Sequence, residues 1–228
     1  KCIYQWEGGA IYSNHYGVNI NNSYFTNNLA YDCGGAVWSD DGVTVQNSIF
    51  WNNSVIDNQG GAIYMDDDYN LKLSNCSFVN NSACEDGGAV WSDGSVEVNG
   101  CSFVNNSANG AKVSQCEGGA IYSDGDGVKL INSNFTNNYA YDYGGAVWSD
   151  DGVTVESSIF KDNSVTDNRG GAIYMDDSYD LRVSHSAFYG NHANDKGGAI
   201  YCEGNSAHIY LESFNSFENN TAKEGSVL

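Results

Sequence analysis

Proline is absent from all 228 residues, and lysine and arginine together number only 9 against 29 aspartates and glutamates, a formal charge of −20. No stretch is basic enough to follow a phosphate backbone, which argues against nucleic acid as a partner. No run of apolar residues reaches the roughly 18 needed for a membrane-crossing helix, so the chain reads as not membrane-spanning. A charged, apolar, small-residue leader is also missing, as expected of a mature soluble or surface-displayed product. The 7 cysteines include no CxxC pair and have no histidine at zinc spacing, which argues against a metal cluster.

What the chain does have is glycine and a repeat. The pentapeptide Gly-Gly-Ala-Ile-Tyr, or its variant Gly-Gly-Ala-Val-Trp, starts at Gly8, Gly34, Gly60, Gly87, Gly118, Gly144, Gly170 and Gly197, in steps of 26, 26, 27, 31, 26, 26 and 27 residues. Such a period denotes a solenoid, a propeller or a similar array. One unit is too small to bury a core of its own, so the units must stack, and residues 1–228 form one elongated domain.

Within a unit such as GGAVWSDDGVTVQNSIFWNNSV the apolar period is two, which predicts short strands with one face buried. The inward pairs are Val18/Ile20, Val43/Val45, Leu71/Leu73, Val96/Val98, Val128/Leu130, Val153/Val155, Leu181/Val183 and Ile209/Leu211, with variable, mostly polar residues between their members. A Phe-x-x-Asn motif also recurs in every unit, from Phe25/Asn28 to Phe217/Asn220. Its asparagines, Asn28, Asn53, Asn81, Asn106, Asn138, Asn163, Asn191 and Asn220, are expected to form a structural ladder, satisfying their own backbone and bonding to their copies above and below. Two residues after each stands alanine or valine. The fold class is therefore all-β, a β-solenoid of about eight coils with about 26 residues per coil, roughly 38 Å long at the strand spacing of a sheet.

Motifs one to four recur 110 residues later, and GGAVWSDDGVTV stands unchanged at 34–45 and 144–155. A duplication is implied, with coils one to four at about 8–117 and coils five to eight at about 118–228, and the longest inter-motif stretch, SANGAKVSQCE, lies at the join. The pairing of GGAI/GGAV with FxxN resembles the repeats of chlamydial polymorphic outer-membrane proteins and of adhesin-like surface proteins of methanogenic archaea. The resemblance implies a right-handed parallel β-helix of the pectin-lyase type, displayed on a cell surface. No C-terminal membrane barrel of the autotransporter kind is present in the sequence.

The last residue of the pentapeptide places one large aromatic per coil in register: Tyr12, Trp38, Tyr64, Trp91, Tyr122, Trp148, Tyr174 and Tyr201. Facing outward, this column is a surface-contact ladder suited to sugar rings; facing inward, it is core. Acidic turns follow it, and Asp40, Asp66, Asp150 and Asp176 are candidates for calcium, the alternative being a solvated face that needs no cofactor. Three cysteine pairs are candidate disulfides between neighbouring coils: Cys84 with Cys116, Cys2 with Cys33, and Cys76 with Cys101, the last equally compatible with a reduced pair. Asn-x-Ser/Thr sequons at Asn21, Asn52, Asn75, Asn80, Asn105, Asn134 and Asn219 permit glycosylation of a secreted chain.

Catalysis is not expected. A hydrolase site needs a few carboxylates in one cleft, whereas these recur coil after coil, and a protein at −20 repels the polyanions that a polysaccharide lyase would take. No capping helix is evident at either end, and Gly-Ser-Val-Leu at 225–228 resembles the start of another GGAV strand. The expectation is an extracellular, cell-surface structural protein whose open ends meet head to tail by β-strand addition, giving a filament or sheath. The alternative is an adhesin, a piece of a longer stalk, that binds glycans or partner surfaces through a lateral face.

Overall fold

The computed structural model describes residues 6–110, 116–177, 179–204 and 206–227. Strands in these segments pair in parallel with their counterparts one rung before and one rung after. Three sheets have eight strands each, running from Ile11–Ser13 to Ile200–Cys202, from Val18–Asn21 to Ile209–Glu212, and from Tyr24–Thr26 to Ser216–Glu218. A fourth sheet of six two-residue strands runs from Leu29–Ala30 to Ser164–Val165. No helix among the described residues is long and apolar enough to cross a membrane.

The corners explain the composition. Each rung turns through residues with positive φ, a region that glycine enters freely and asparagine more readily than most. The first glycine of the pentapeptide is one such corner, as at Gly34 (φ 63°). Asn22, Asn47, Asn75 and Asn132 turn the chain into the third sheet, and Asn27, Asn52, Asn80, Asn105, Asn137 and Asn219 turn it out again. The second glycine answers a different need: a Cβ on Gly61 would fall inside van der Waals contact of the Gly88 carbonyl oxygen and the Ser82 backbone.

The expected inward pairs line the main core, and from Val18/Ile20 to Leu181/Val183 all are buried. In the eighth rung Ile209 is only partly covered and Leu211 is exposed, because no rung follows within the described residues to bury them. The phenylalanines stack from Phe25 to Phe217 with ring centroids 4.7–4.9 Å apart and planes within 9° of parallel. Removing one of the buried rings would cost about 3–5 kcal/mol. The alanines and valines after the asparagines form small clusters of their own, such as Ala30, Val55 and Ala83.

The asparagine ladder forms, with one difference from the expected bonding. Asn53 Oδ1 accepts from both the backbone N–H and Nδ2 of Asn28, while its Nδ2 donates to Phe25 O and to Asn81 Oδ1. The backbone groups satisfied belong to the preceding rung, not to the residue itself. All four hydrogen-bonding sites of the amide are thereby used, which is why asparagine can be fully buried there. A second ladder runs at the entry to the third sheet, where a serine Oγ accepts the backbone N–H of the previous rung: Ser23 N–H to Ser48, Ser133 N–H to Ser158, and Ser158 N–H to Ser186.

After the eighth rung the chain begins another pentapeptide-like turn. Gly225 has φ 57°, its carbonyl accepts from Gly198 N–H at 3.0 Å, and Val227 O accepts from Ile200 N–H at 2.9 Å.

Candidate functional site

The aromatic column lies on the opposite face of the first sheet from the main core, since its β-branched neighbours Val37, Ile63 and Val90 point into that core. It is nevertheless covered. Trp38, Tyr64, Trp91, Trp148 and Tyr174 are buried, Tyr122 and Tyr201 are partly buried, and only Tyr12 in the first rung is mostly exposed. The rings stack along the rod, with Tyr12 on Trp38 at 4.6 Å, Tyr64 on Trp91 at 4.4 Å and Tyr122 on Trp148 at 4.2 Å. The column is thus neither an exposed strip for sugar rings nor part of the main core; it is a second, satellite core.

Its cover comes from the residues just ahead of each pentapeptide. Cys33 packs against Trp38 and Tyr64, Tyr143 meets Tyr174 at 4.6 Å, and the Arg169 guanidinium sits 5.0 Å from the Tyr201 ring centre. Arg169 also bonds Asp195 at 3.3 Å and Glu203 at 3.0 Å.

Asp86 and Glu117 occupy the same covering position in successive rungs. Asp86 accepts from Gln59 Nε2 at 2.9 Å and from Glu117 N–H at 3.0 Å. Burial pushes the Asp86 carboxyl up to about 7, and burial together with the neighbouring Asp86 charge pushes Glu117 up to about 8. Glu7, in the same position of the first rung, rises to about 7 through burial and the charges of Asp32, Asp66 and Asp40.

The acidic turns bond to the tyrosines of the column. Tyr64 Oη donates to Asp66 at 2.9 Å, Tyr122 to Asp124 at 3.2 Å and Tyr174 to Asp176 at 3.1 Å, with Glu203 also on the Tyr174 hydroxyl. Asp40 lies 3.7 Å from His15 Nδ1. Burial and the charges of Asp124 and Asp176 raise the Asp150 carboxyl. Among the described residues no group of three or more histidine, cysteine, aspartate or glutamate side chains is arranged to hold a metal ion. The indole Nε1 atoms of Trp38 and Trp91, which have no aspartate in hydrogen-bond reach, are buried without a partner.

The cysteines divide three ways. Cys33 is buried and disulfide-bonded, while its proposed partner Cys2 lies outside the described residues. Cys76 and Cys101 are stacked thiols, not a disulfide. They occupy the serine ladder: Cys76 N–H lies 3.3 Å from Cys101 Sγ, and Cys101 N–H 3.1 Å from Ser133 Oγ. No disulfide joins Cys84 to Cys116. Cys84 stands three residues ahead of its glycine pair and Cys116 only two, so the Cys116 thiol meets the Cys84 carbonyl, 3.4 Å away.

With the column covered, two exposed aromatics, Tyr24 and Trp51, stand on the third sheet, flanking the phenylalanines. Its outward positions run Tyr24, Ile49, Ser77, Ser102, Asn134 along one line and Thr26, Trp51, Val79, Val104, Thr136 along the next. Tyr24 is 78% exposed and Trp51 46%. These ten positions carry no side chain charged at neutral pH; the first charge on either line is Lys161, one rung further on. The second sheet differs, its outward residues including Lys72, Glu97, Lys129 and Arg182. A shallow depression beside that sheet is lined by Ser95, Glu97, Asp126, Lys129 and Thr154. Sequence reasoning passed over Tyr24 and Trp51 because outward positions share no residue type from rung to rung; strict alternation about Phe25 and Phe50 was the available signal.

Asparagine rows border the face on both edges. Asn52 Nδ2 donates to Asn27 Oδ1 at 2.7 Å along one corner, and Asn47 Nδ2 to Asn21 Oδ1 at 3.1 Å along the other. All seven sequon asparagines are exposed.

Neither a curated protein nor a solved structure matches the chain. A family model described as right handed beta helix region matches residues 1–115 and again residues 111–222. Parallel in-register sheets, a ladder-lined core and a match that spans nearly the whole chain agree, and the chain belongs to the right-handed β-helix family.

Proposed function

We infer that this protein is a structural rod of a cell surface, built to extend by the addition of rungs. The observation that carries this reading is the register of its ladders. The second and third sheets end, among the described residues, in strands whose outer edges carry the same backbone donors and acceptors that join rungs inside the sheet, and the Gly225–Val227 turn already seats on the eighth rung of the first sheet. A further rung, from the same polypeptide or from a second copy docking head to tail, completes the half-covered Ile209 and Phe217. The disulfide at Cys33 supports an extracellular setting, where such bonds persist.

No catalytic role is assigned: Asp66, Asp124 and Asp176 bond the tyrosines of alternate rungs instead of converging on one cleft. Sedimentation velocity and negative-stain imaging over rising concentration test the head-to-tail step. The expected result is rods longer than the roughly 38 Å of eight stacked rungs. Rods that keep a single-chain length up to about millimolar concentration, where even weak association is populated, would count against it.

A further inference from the structure

We propose that the outward face of the third sheet over the first five rungs binds an extended, uncharged polysaccharide. Tyr24 and Trp51 are the stacking platforms, with Ile49, Val79 and Val104 completing the apolar floor. The asparagine rows at the corners supply amides for hydroxyl groups. Aromatic and aliphatic surface with a few flanking polar groups is the general make-up of a small-ligand site.

Charge selects the ligand class. On a chain of net charge −20, ten adjacent outward positions without a charge form a surface that does not favour a cation and from which the rest of the molecule repels anions. Nucleic acid, acidic glycans and anionic lipid are disfavoured by the same repulsion. Shape selects among neutral partners. Five rungs span about 24 Å and a three-residue strand about 10 Å, so the face offers on the order of 240 Å². A stable protein interface needs about 800 Å² per partner, several times what this strip offers. A narrow, linear, neutral chain lying along the rungs fits this strip; a globular partner does not.

The test uses the full chain from a host without N-glycosylation, so that the sequons bordering the face stay bare. Its retention is measured on insoluble cellulose, chitin, β-1,3-glucan and mannan, with polygalacturonate as the acidic control. Wild type is expected to be retained on at least one neutral polymer. Retention should hold as salt rises from about 0.05 to about 0.5 M, where screening would weaken ionic binding. The Tyr24→Ser/Trp51→Ser double variant should bind more than about tenfold more weakly, and Tyr69→Ser, at an exposed aromatic off this face, should bind as wild type. Both changes are at exposed positions, and thermal unfolding checks that the variants stay folded.

The proposal is overturned if wild type is retained on none of the neutral polymers, if it prefers polygalacturonate, or if the folded double variant binds as well as wild type. It is equally overturned if the double variant instead abolishes a concentration-dependent dimer or flotation with zwitterionic vesicles, which would assign the face to a second copy or to a lipid surface. Because side-face binding does not depend on end-to-end growth, either result leaves the filament test above to stand on its own.

Discussion

Asn106 donates from Nδ2 to Asn138 Oδ1 at 3.0 Å across 32 residues of chain, the ladder step that spans the longest interval between pentapeptides. The bond has the same length as that from Asn53 to Asn81, so the longer interval leaves the stack undisturbed. Asn106 also donates to Phe78 O and accepts from the backbone N–H and Nδ2 of Asn81. Alanine at this position strands several buried groups, each worth about 1–3 kcal/mol.

Asn106→Asp should be worse than Asn106→Ala at neutral pH. A carboxylate keeps the acceptor but turns a donor into a buried negative charge facing Asn138 Oδ1 and Phe78 O. Protonation restores one donor, so the gap between the two variants should close as pH falls towards 4, read by chemical denaturation. A gap independent of pH would mean that the ladder donor is not what the position requires.

Cys76→Ser/Cys101→Ser should be tolerated, changing stability by less than about 1.5 kcal/mol. Serine already fills the equivalent place at Ser48, Ser133 and Ser158, accepting the same backbone N–H. A large loss of stability would show that the thiols contribute packing that the hydroxyl ladder cannot replace.

Stability should decline from mildly acid to mildly alkaline pH. The carboxyls of Asp86, Glu117 and Glu7 stand at about 7, about 8 and about 7 in the folded chain, above the range near 4 of an unfolded carboxyl. The folded state therefore binds more protons between these values, and the stabilisation, complete below about pH 4, is lost as pH rises through 7 to 8. The melting temperature should drop by several degrees between about pH 5.5 and about pH 8.5. Asp86→Asn/Glu117→Gln should flatten that slope; an unchanged slope would place its origin elsewhere among the acidic residues.

The parts of this fold that could be read from the sequence are those where one side chain type does the same job in every rung. Val43/Val45 and Phe50/Asn53 recur because the core has one shape along its length, so recurrence located them. The covering of the aromatic column could not be read that way. Cys33, Gln59, Asp86, Glu117, Tyr143 and Arg169 share a position without sharing chemistry: Cys33 packs among the rings, Gln59 bonds Asp86, Tyr143 meets Tyr174 and Arg169 lies over Tyr201. The same holds for Tyr24 and Trp51, where solvent imposes no common residue. The disulfide expectation for Cys84 and Cys116 failed over an offset of one residue, which is decisive for a covalent bond and nearly invisible in a repeat of variable length.

The asparagine ladder has a kinetic consequence. Its bonds join residues 25 to 35 apart wherever they occur along the rod. The closure entropy of each added turn is therefore nearly constant, since it grows only slowly with the loop enclosed. Stability then accumulates turn by turn, as in a chain of coupled nearest neighbours, and folding can start at any turn and spread in both directions. Under a pull on its two ends such a rod carries its turns in series, so it should give way one turn at a time, in a sawtooth of similar steps, and re-form against whichever turn is still standing.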